Sequence, residues 1–270
     1  MSELSFQDVV VRFGTARRGV TAVNKVSLTV PHGEILGLVG ESGSGKSTLA
    51  RACVGLVPIA SGAITLDGAE LTTRDRRVQM VFQDPSSSLD PRMSVGDAIA
   101  ELLRTRSKRA RTQEVARLLE LVHLDASRAQ SYPGQLSGGQ RQRVAIARAL
   151  ACDPQVVIAD EITSNLDVSI QGTILNLVRE LVGEVGLTML FISHNLAVVR
   201  YMASRVAVMK EGVIVEEGPV ASVLHQPTHP YTRTLLAAIP GEKTVKIAPD
   251  HSPNDGVSDS FDTTQGKEFR

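Results

Sequence analysis

The stretch "EILGLVGESGSGKST", residues 34–48, gives the strongest indication of the fold. Its first half is mostly apolar without alternation, which is typical of a strand buried on both faces of a parallel sheet. Its second half has a glycine, four residues and then Gly-Lys-Ser, and a helical pattern follows from Lys46 to about Gly55. A strand, a glycine-rich loop and a helix in this order form the first half of an α/β unit. The stretch therefore predicts an α/β fold with a phosphate-binding loop at the edge of a parallel sheet.

The composition of this loop suits a nucleotide. Glycines let the backbone bend so that its N–H groups and the start of the following helix surround a di- or triphosphate. Lys46 would place a positive charge on the outer phosphates, and the hydroxyl of Ser47 would bind Mg²⁺. A glycine turn with a purely structural role is the alternative, but it does not explain the position between a strand and a helix. The predicted nucleotide-binding residues are Gly40, Glu41, Ser42, Gly43, Ser44, Gly45, Lys46, Ser47 and Thr48.

A second apolar run, in "VVIADEITSNLD" at residues 156–167, ends in two adjacent acids. Carboxylates are costly beside a buried strand unless a cation pairs with them. We expect Asp160 to hold Mg²⁺, directly or through water. Glu161 is the next residue, so in an extended chain its side chain would leave the opposite face. It is predicted to polarise the water that attacks the γ-phosphate, and the alternative for both acids is the solvated start of a loop.

The rest of the chain predicts a second, antiparallel layer and a helical part. Residues 4–13 and 21–30 alternate apolar and polar positions, as half-exposed antiparallel strands do. The pattern is helical and charged from Ser94 to about His123. Further expected elements are short strands at 62–67 and 77–82, a helix at about 139–150 and a buried strand at 188–193.

Bulk properties exclude several classes of protein. Of 270 residues, 42% are hydrophobic, enough for a core, and 29 basic residues balance 29 acidic ones. This balance gives no overall electrostatic reason to bind nucleic acid, and the basic run at 104–111 reads as a solvated helix face or loop because no aromatic residue interleaves with it. Cys53 and Cys152 lack metal or disulfide spacing, which suits a reducing cytosol. No signal peptide or membrane span is predicted, so any membrane role is peripheral.

The pentapeptide "LSGGQ", Leu136–Gln140, makes the pattern specific. Together with both nucleotide motifs it resembles the nucleotide-binding subunit of an ATP-binding cassette (ABC) transporter, over about residues 4–240. That resemblance implies a P-loop NTPase core with a parallel sheet, an antiparallel β subdomain and a helical subdomain. It also implies that Ser137, Gly138, Gly139 and Gln140 face the γ-phosphate bound by another subunit. A Ser-Gly-Gly at a helix start is by itself an anion site.

Four further residues take roles from the resemblance. Phe13 resembles the aromatic residue that stacks on adenine, with core packing as the alternative. Gln83 resembles the glutamine that senses Mg²⁺ and the membrane partner, Asp167 the acid that crosses the subunit interface, and His194 the switch histidine on the γ-phosphate. The implied catalytic residues are Lys46, Gln83, Glu161 and His194, and the implied metal ligands are Ser47, Gln83 and Asp160.

One position departs from the family pattern. Most members have proline after the catalytic glutamate, and this chain has Ile162. Isoleucine restores a backbone N–H and frees φ, so the loop geometry and the turnover could differ. Simple tolerance of the substitution is the expected outcome.

The stretches "QDPSSSLDPRMSV" and "GPVASVLHQPTHPYTRTLLAAIP" resemble the ATPases of oligopeptide, dipeptide and nickel importers. Many relatives carry a cysteine cluster after the second stretch, but no cysteine follows Cys152, so we predict no iron–sulfur cluster. The expected organisation is an ABC ATPase domain at 1–240, with a helical subdomain at about 84–145 and a C-terminal segment at about 218–240. Residues 241–270 are polar and are predicted to be a disordered tail.

The resemblance implies a subunit that uses ATP and Mg²⁺ to import peptides, with nickel or a metal chelate as the alternative cargo. Its implied partners are two permease subunits, a related ATPase or a second copy of itself, and indirectly a substrate-binding protein, at the cytoplasmic face of the membrane. A soluble cassette ATPase acting on ribosomes or DNA is a rival. Such proteins usually carry two cassettes or a long coiled-coil insertion, which this chain lacks. A regulatory subunit without turnover is a second rival, which the intact Lys46, Asp160, Glu161 and His194 argue against.

Overall fold

The computed structural model describes residues 2–14, 19–73, 75–104 and 107–237. Within them the strands are β1 (Leu4–Phe13), β2 (Val20–Val30), β3 (Ile35–Val39), β4 (Ser61–Leu66), β5 (Ala69–Glu70), β6 (Val78–Val81), β7 (Val156–Asp160), β8 (Thr188–Ile192), β9 (Arg205–Lys210) and β10 (Val213–Pro219). The helices are α1 (Lys46–Cys53), α2 (Val95–Ala100), α3 (Lys108–Leu121), α4 (Gly138–Leu150), α5 (Val168–Val185), α6 (Leu196–Met202), α7 (Val220–His225) and α8 (Pro230–Ala237).

The predicted parallel core is present as a six-stranded sheet in the order β10-β9-β3-β8-β7-β6. Its pairs are parallel except β10 with β9, which is antiparallel. Every residue of β3, β7 and β8 is buried, as expected for apolar runs covered on both faces. Ile192 pairs with both Leu38 and Asp160, so these three strands end side by side. The loops that follow them therefore meet at one edge of the sheet.

The predicted antiparallel layer is a four-stranded sheet in the order β2-β1-β4-β5. Its apolar side chains share one core with α1 and with the parallel sheet: Phe6 and Leu28 pack in the same cluster as Leu49, Leu36 and Ile158. Helix α1 is thus held between two sheets, and the loop before it has little freedom to move as a unit.

The stretch predicted to be helical from Ser94 to about His123 forms two helices, α2 and α3. Each begins at a serine cap, because Ser94 and Ser107 accept hydrogen bonds from backbone N–H groups three residues on. Both helices contact α4. Lys108 and Arg109, from the basic run, are exposed in the first turn of α3, which agrees with a solvated helix face.

Within the described residues, the stretch at about 218–240 that we predicted to be the C-terminal segment contains the end of β10, α7 and α8. Helix α8 begins at Pro230, and Leu236 packs inward with 7% exposure. Cys53 and Cys152 are both buried and free. The tail at 241–270, predicted to be disordered, lies outside the described residues.

Candidate functional site

The loop between β3 and α1 is shaped by its glycines. Gly40, Gly43 and Gly45 have φ values of 153°, 81° and 108°. A Cβ on Gly40 would lie 2.1 Å from the carbonyl oxygen of Met209, and one on Gly45 would lie 2.3 Å from that of Ala22. The loop is therefore pressed against the backbone of β9 and β2, and only glycine fits at both positions.

Lys46 lies inside this loop with 4% exposure. Its Nζ donates to the carbonyl oxygens of Gly40 at 2.8 Å and Glu41 at 2.7 Å, and to the hydroxyl of Ser44 at 3.2 Å. Burial lowers the pKa of the Lys46 ammonium, and the negative charges nearby, of which Glu161 has the largest effect, oppose that shift. The loop thus holds one buried cation among backbone groups. Glu41, Ser42 and Gly43 form its exposed rim, and Thr48 follows in α1.

Ser47 and Asp160 come together as the sequence predicts. The Ser47 hydroxyl donates to Asp160 Oδ1 at 3.0 Å, and Asp160, the last residue of β7, is 4% exposed. Burial raises the pKa of the Asp160 carboxyl, and the Ser47 hydrogen bond partly offsets that rise. A hydroxyl and a carboxylate are oxygen donors of the kind that Mg²⁺ accepts together with substrate phosphates. The described residues contain no cluster of three or more His, Cys, Asp or Glu that could hold a metal without such a substrate.

Glu161 and Asp160 have different side-chain partners, but the expected extended chain is wrong. Its φ is +49°, a left-handed conformation, and its N–H donates to the carbonyl oxygen of Ile192 at 3.0 Å. The strand ends at Asp160 and the chain turns at Glu161, so strand alternation does not set the direction of the Glu161 side chain. Glu161 Oε1 lies 3.2 Å from Nδ1 of His194, which is exposed. A left-handed residue other than glycine or asparagine is strained, and such strain is common at functional sites.

Gln83 joins this cluster through a residue that sequence reasoning did not single out. Its Nε2 donates to the hydroxyl of Ser164 at 3.0 Å, and Ser164 in turn donates to the carbonyl oxygen of Glu161 at 3.0 Å. Gln83 is thus connected to the acid-bearing loop. The available signal was the position of Ser164 inside "SNLD".

Ile162, which occupies the place of the usual proline, is 2% exposed. It lines an apolar space together with Ile146, Val157 and Val178. The side chain therefore packs beneath the loop that carries Glu161 and adds apolar contacts there.

The "LSGGQ" stretch forms the start of α4. Ser137 is the capping residue: its hydroxyl accepts from the N–H of Gln140 at 3.3 Å, while Gln140 Oε1 accepts from the N–H of Ser137 at 3.0 Å. A Cβ on Gly139 would lie 2.6 Å from Cγ2 of Ile170, whereas one on Gly138 would meet Leu166 at 3.4 Å. The start of α4 thus packs closely against the first turn of α5.

Phe13 and Asp167 are both exposed. Phe13 ends β1 with 47% exposure, so the alternative of core packing is wrong. Asp167 precedes α5, and its side chain makes no capping hydrogen bond. Among the described residues, the hydrogen bonds that join Lys46, Asp160, Glu161 and Gln83 to their neighbours do not include Phe13, Ser137 or Asp167. The structure assembles one half of the expected site and leaves these three residues on the surface.

A parallel sheet whose first loop carries a buried lysine, with a serine–aspartate pair beside it, defines a P-loop NTPase. Residues 23–164 match the family described as ABC transporter, and residues 215–270 match the one described as Oligopeptide/dipeptide transporter, C-terminal region. The chain belongs to the ABC transporter family, as an ATP-binding protein that hydrolyses ATP to drive transport. The resemblance and the fold class read from the sequence are confirmed.

Curated relatives agree with this assignment. The chain is 51% identical over 231 residues to a putative peptide import ATP-binding protein of Brucella abortus (strain 2308), covering 81% of this chain and 69% of that protein. It is 46% identical over 250 residues to the oligopeptide transport ATP-binding protein OppF of Bacillus subtilis, covering 88% and 82%. Against the glutathione import ATP-binding protein GsiA of Escherichia coli O157:H7 it is 51% identical over 234 residues, but it spans only 38% of that protein.

Solved structures share the fold. The cassette MJ0796, in a dimeric post-hydrolysis structure bound to ADP and Pi, has a TM-score of 0.71 at 29% identity and covers 80% of this chain and 98% of its own. The protein cbiO1 from Clostridium perfringens, part of the ABC transporter complex cbiONQ, has a TM-score of 0.73 at 26% identity and covers 83% and 90%.

Proposed function

We propose that this chain binds MgATP and uses its hydrolysis to power the import of peptides through separate permease subunits. The observation that carries the proposal is the convergence of two pairs at one sheet edge, Ser47 with Asp160 and Glu161 with His194. The C-terminal match to oligopeptide and dipeptide transporters and the names of the relatives support peptides as cargo.

The geometry supports distinct roles for these four residues and for Lys46. Ser47 and Asp160 would hold Mg²⁺, which would neutralise charge on the phosphates when bound. Glu161 carries an oxygen near the exposed end of His194, so it can accept a proton from a water placed against the terminal phosphate. His194 fixes the orientation of that carboxylate and offers a donor toward the phosphate. Lys46 supplies positive charge from inside the loop.

The other proposed roles follow from exposure. Phe13 offers an apolar face for adenine, and Gln83 links the acid-bearing loop to the surface on which a permease would act. Ser137, Gly138, Gly139, Gln140 and Asp167 would meet the nucleotide of a facing subunit. The dimeric MJ0796 structure shows that a similar cassette forms pairs. We propose the same for this chain, with a related ATPase or with itself.

The proposed assembly comprises two such ATPases, two permease subunits and, indirectly, a substrate-binding protein, at the cytoplasmic face of the membrane. No helix among the described residues has the length and apolarity needed to cross a bilayer. Residues 84–145 would form the helical subdomain within an ATPase domain at 1–240, with 218–240 as the branch-specific part. A glutathione importer is a second candidate because of the 51% identity to GsiA, and nickel or a metal chelate is the third.

Uptake in a strain lacking the chain tests the proposal. Loss of uptake of a labelled oligopeptide, with glutathione and nickel uptake retained, is the expected result. Wild-type chain should restore uptake and Glu161→Gln should not. Glu184→Gln, the same change at an exposed position of α5, should restore it. Unimpaired peptide uptake in the deletion strain would contradict the peptide assignment, and loss of glutathione or nickel uptake instead would select that alternative.

A further inference from the structure

We propose that Tyr231, in the C-terminal segment, is a positioning residue for the phosphate loop, and that it sets the location of the Lys46 ammonium through a single peptide group. The inference rests on the proposed ATP hydrolysis and adds to it a residue outside the nucleotide motifs. It assigns a role in nucleotide binding to the segment that distinguishes this branch of the family.

The contact is a direct, partly buried hydrogen bond. Tyr231 is 7% exposed, and its hydroxyl accepts a hydrogen bond from the N–H of Glu41 at 3.0 Å. That N–H belongs to the peptide group between Gly40 and Glu41. The carbonyl of the same peptide, Gly40 O, accepts from Lys46 Nζ at 2.8 Å. The N–H and C=O of a trans peptide point in opposite directions. Tyr231 and Lys46 therefore hold one peptide from its two sides.

The loop needs such an anchor because of its glycines. Gly40 and Gly43 have positive φ and flank a short stretch that is exposed to solvent. Glycine reaches many backbone conformations at low cost, so the Gly40–Glu41 peptide would rotate readily if nothing held its N–H. Rotation would move the carbonyl that fixes the ammonium of Lys46. In part of the population, the positive charge of Lys46 would then be displaced from its position against the phosphates.

Tyr231 is itself held in place. The ammonium of Lys210, at the end of β9, lies 5.1 Å from the centre of its ring. The Glu216 carboxylate accepts hydrogen bonds from the N–H of Thr228 at 2.7 Å, the Thr228 hydroxyl at 2.8 Å and the N–H of His229 at 3.1 Å. His229 Nδ1 accepts from the N–H of Tyr231 at 3.2 Å. The turn before α8 is thus tied to β10, and its tyrosine is presented to the loop in a fixed orientation.

The experiment removes one oxygen. Tyr231→Phe keeps the ring and its contact with Lys210 but leaves the N–H of Glu41 without its acceptor. The loss of one such hydrogen bond corresponds to about a 3- to 10-fold change in an equilibrium constant. We expect KM for MgATP, and Kd measured with a fluorescent ATP analogue, to rise about 3- to 10-fold, while kcat at saturating MgATP stays within about twofold.

Two control variants separate positioning from general stability. Thr188→Val removes hydrogen bonds to Ser2 and Gly33 at the opposite end of the sheet. It should lower Tm by about as much as Tyr231→Phe does, but leave KM unchanged. Tyr201→Phe removes a tyrosine hydroxyl that donates to Asn176, and it should change neither quantity. Glu216→Gln weakens the anchor of the turn before α8 and should raise KM in the same direction as Tyr231→Phe.

The possible outcomes distinguish a failure of the positioning role of Tyr231 from a failure of the proposed ATP hydrolysis. An unchanged KM in folded Tyr231→Phe overturns the positioning role, as does a rise in KM that Thr188→Val reproduces at equal loss of Tm. If Tyr231→Phe does not fold, an unchanged KM in folded Glu216→Gln overturns it instead. If the wild-type chain, supplied with its ATPase partner, does not hydrolyse MgATP, the proposed function itself fails.

Discussion

Two helix starts in this molecule are candidate anion sites, and they are built in opposite ways. Helix α1 follows Gly45, which has φ +108° and offers no side chain to cap the helix. Helix α4 follows Ser137, whose hydroxyl accepts from the N–H of Gln140 in a reciprocal capping box. The first start is surrounded by its own loop and contains the buried Lys46. At the second, Ser137 is exposed, while Gly139 is buried against α5.

The difference indicates that one chain by itself assembles the anion site at the start of α1. A glycine cap leaves the first N–H groups of α1 available to a ligand, and the loop adds a cation and the Ser47–Asp160 pair. At α4 the serine hydroxyl already serves its own helix, so that site is a stable surface feature. We therefore expect the phosphate loop to bind nucleotide in each chain and the α4 start to act on the nucleotide of a facing chain.

The largest expected effect is on ATP hydrolysis, from a change at Glu161 beside the phosphate loop. Glu161→Gln removes the group proposed to accept a proton from the attacking water, and we expect hydrolysis to slow by about 10²- to 10⁴-fold with MgATP binding retained. The closed dimer should then accumulate, which size-exclusion chromatography with ATP would detect. Glu184→Gln is the matched control and should hydrolyse at the wild-type rate. Full turnover by Glu161→Gln would refute its assignment.

Mixing two inactive variants tests whether the phosphate loop of one chain and the α4 start of another form one active site. Lys46→Ala disables the phosphate loop and spares the α4 start, while Ser137→Arg does the reverse. Neither homodimer has an intact site, but a mixed dimer has one. Mixing the proteins should restore ATP hydrolysis, measured by phosphate release. Two folded variants that dimerise and stay inactive at every ratio would show that the sites are not shared between copies of this chain.

The close packing of the α4 start predicts a smaller effect. Gly139→Ala would place a Cβ 2.6 Å from Cγ2 of Ile170. Overpacking of this kind costs about 1–3 kcal/mol of unfolding free energy, and it should also reduce hydrolysis because Ser137 moves with the helix start. Gly139→Ala with Ile170→Ala should recover most of the loss in Tm. Gly172→Ala, in α5 with open space around it, is the control and should not destabilise. Equal effects of both glycine variants would contradict the packing explanation.

The smallest expected effect is a gain in stability. Burial raises the pKa of Asp160, so the folded state binds more protons than the unfolded chain at pH values between the two pKa values. Stability therefore falls as pH rises through that interval, and the charged form is unfavourable at neutral pH. Asp160→Asn should raise Tm by about 2–4 °C at pH 7 while hydrolysis is lost. The gain should fade at pH values below the ordinary pKa of an aspartate. A lower Tm at pH 7 would contradict this electrostatic account.

Local patterns predicted most strands of the two sheets, but not β5, β9 and β10. Residues 4–13 form a strand as predicted, and the buried strands near 156 and 188 were recognisable because apolar residues without alternation need cover on both faces. The stretch from Ser94 to about His123, whose pattern predicted helix without its boundaries, forms two helices, α2 and α3. Ser107 begins a new helix there by capping it, a feature that periodicity does not reveal.

The amino-acid sequence alone was sufficient to predict nucleotide binding. A glycine-rich loop, a lysine, a serine and two acids in a strand–loop–helix context are typical of a site for nucleotide phosphates and Mg²⁺, and their spacing is visible without coordinates. The contacts between these side chains and the rest of the molecule became visible only in the tertiary structure. The left-handed turn at Glu161, the link from Gln83 through Ser164 and the contact of Tyr231 with Glu41 join residues far apart in the chain or depend on one backbone angle. Such contacts arise from the register of neighbouring strands and from packing of the C-terminal segment, and neither leaves a periodic signal in the sequence.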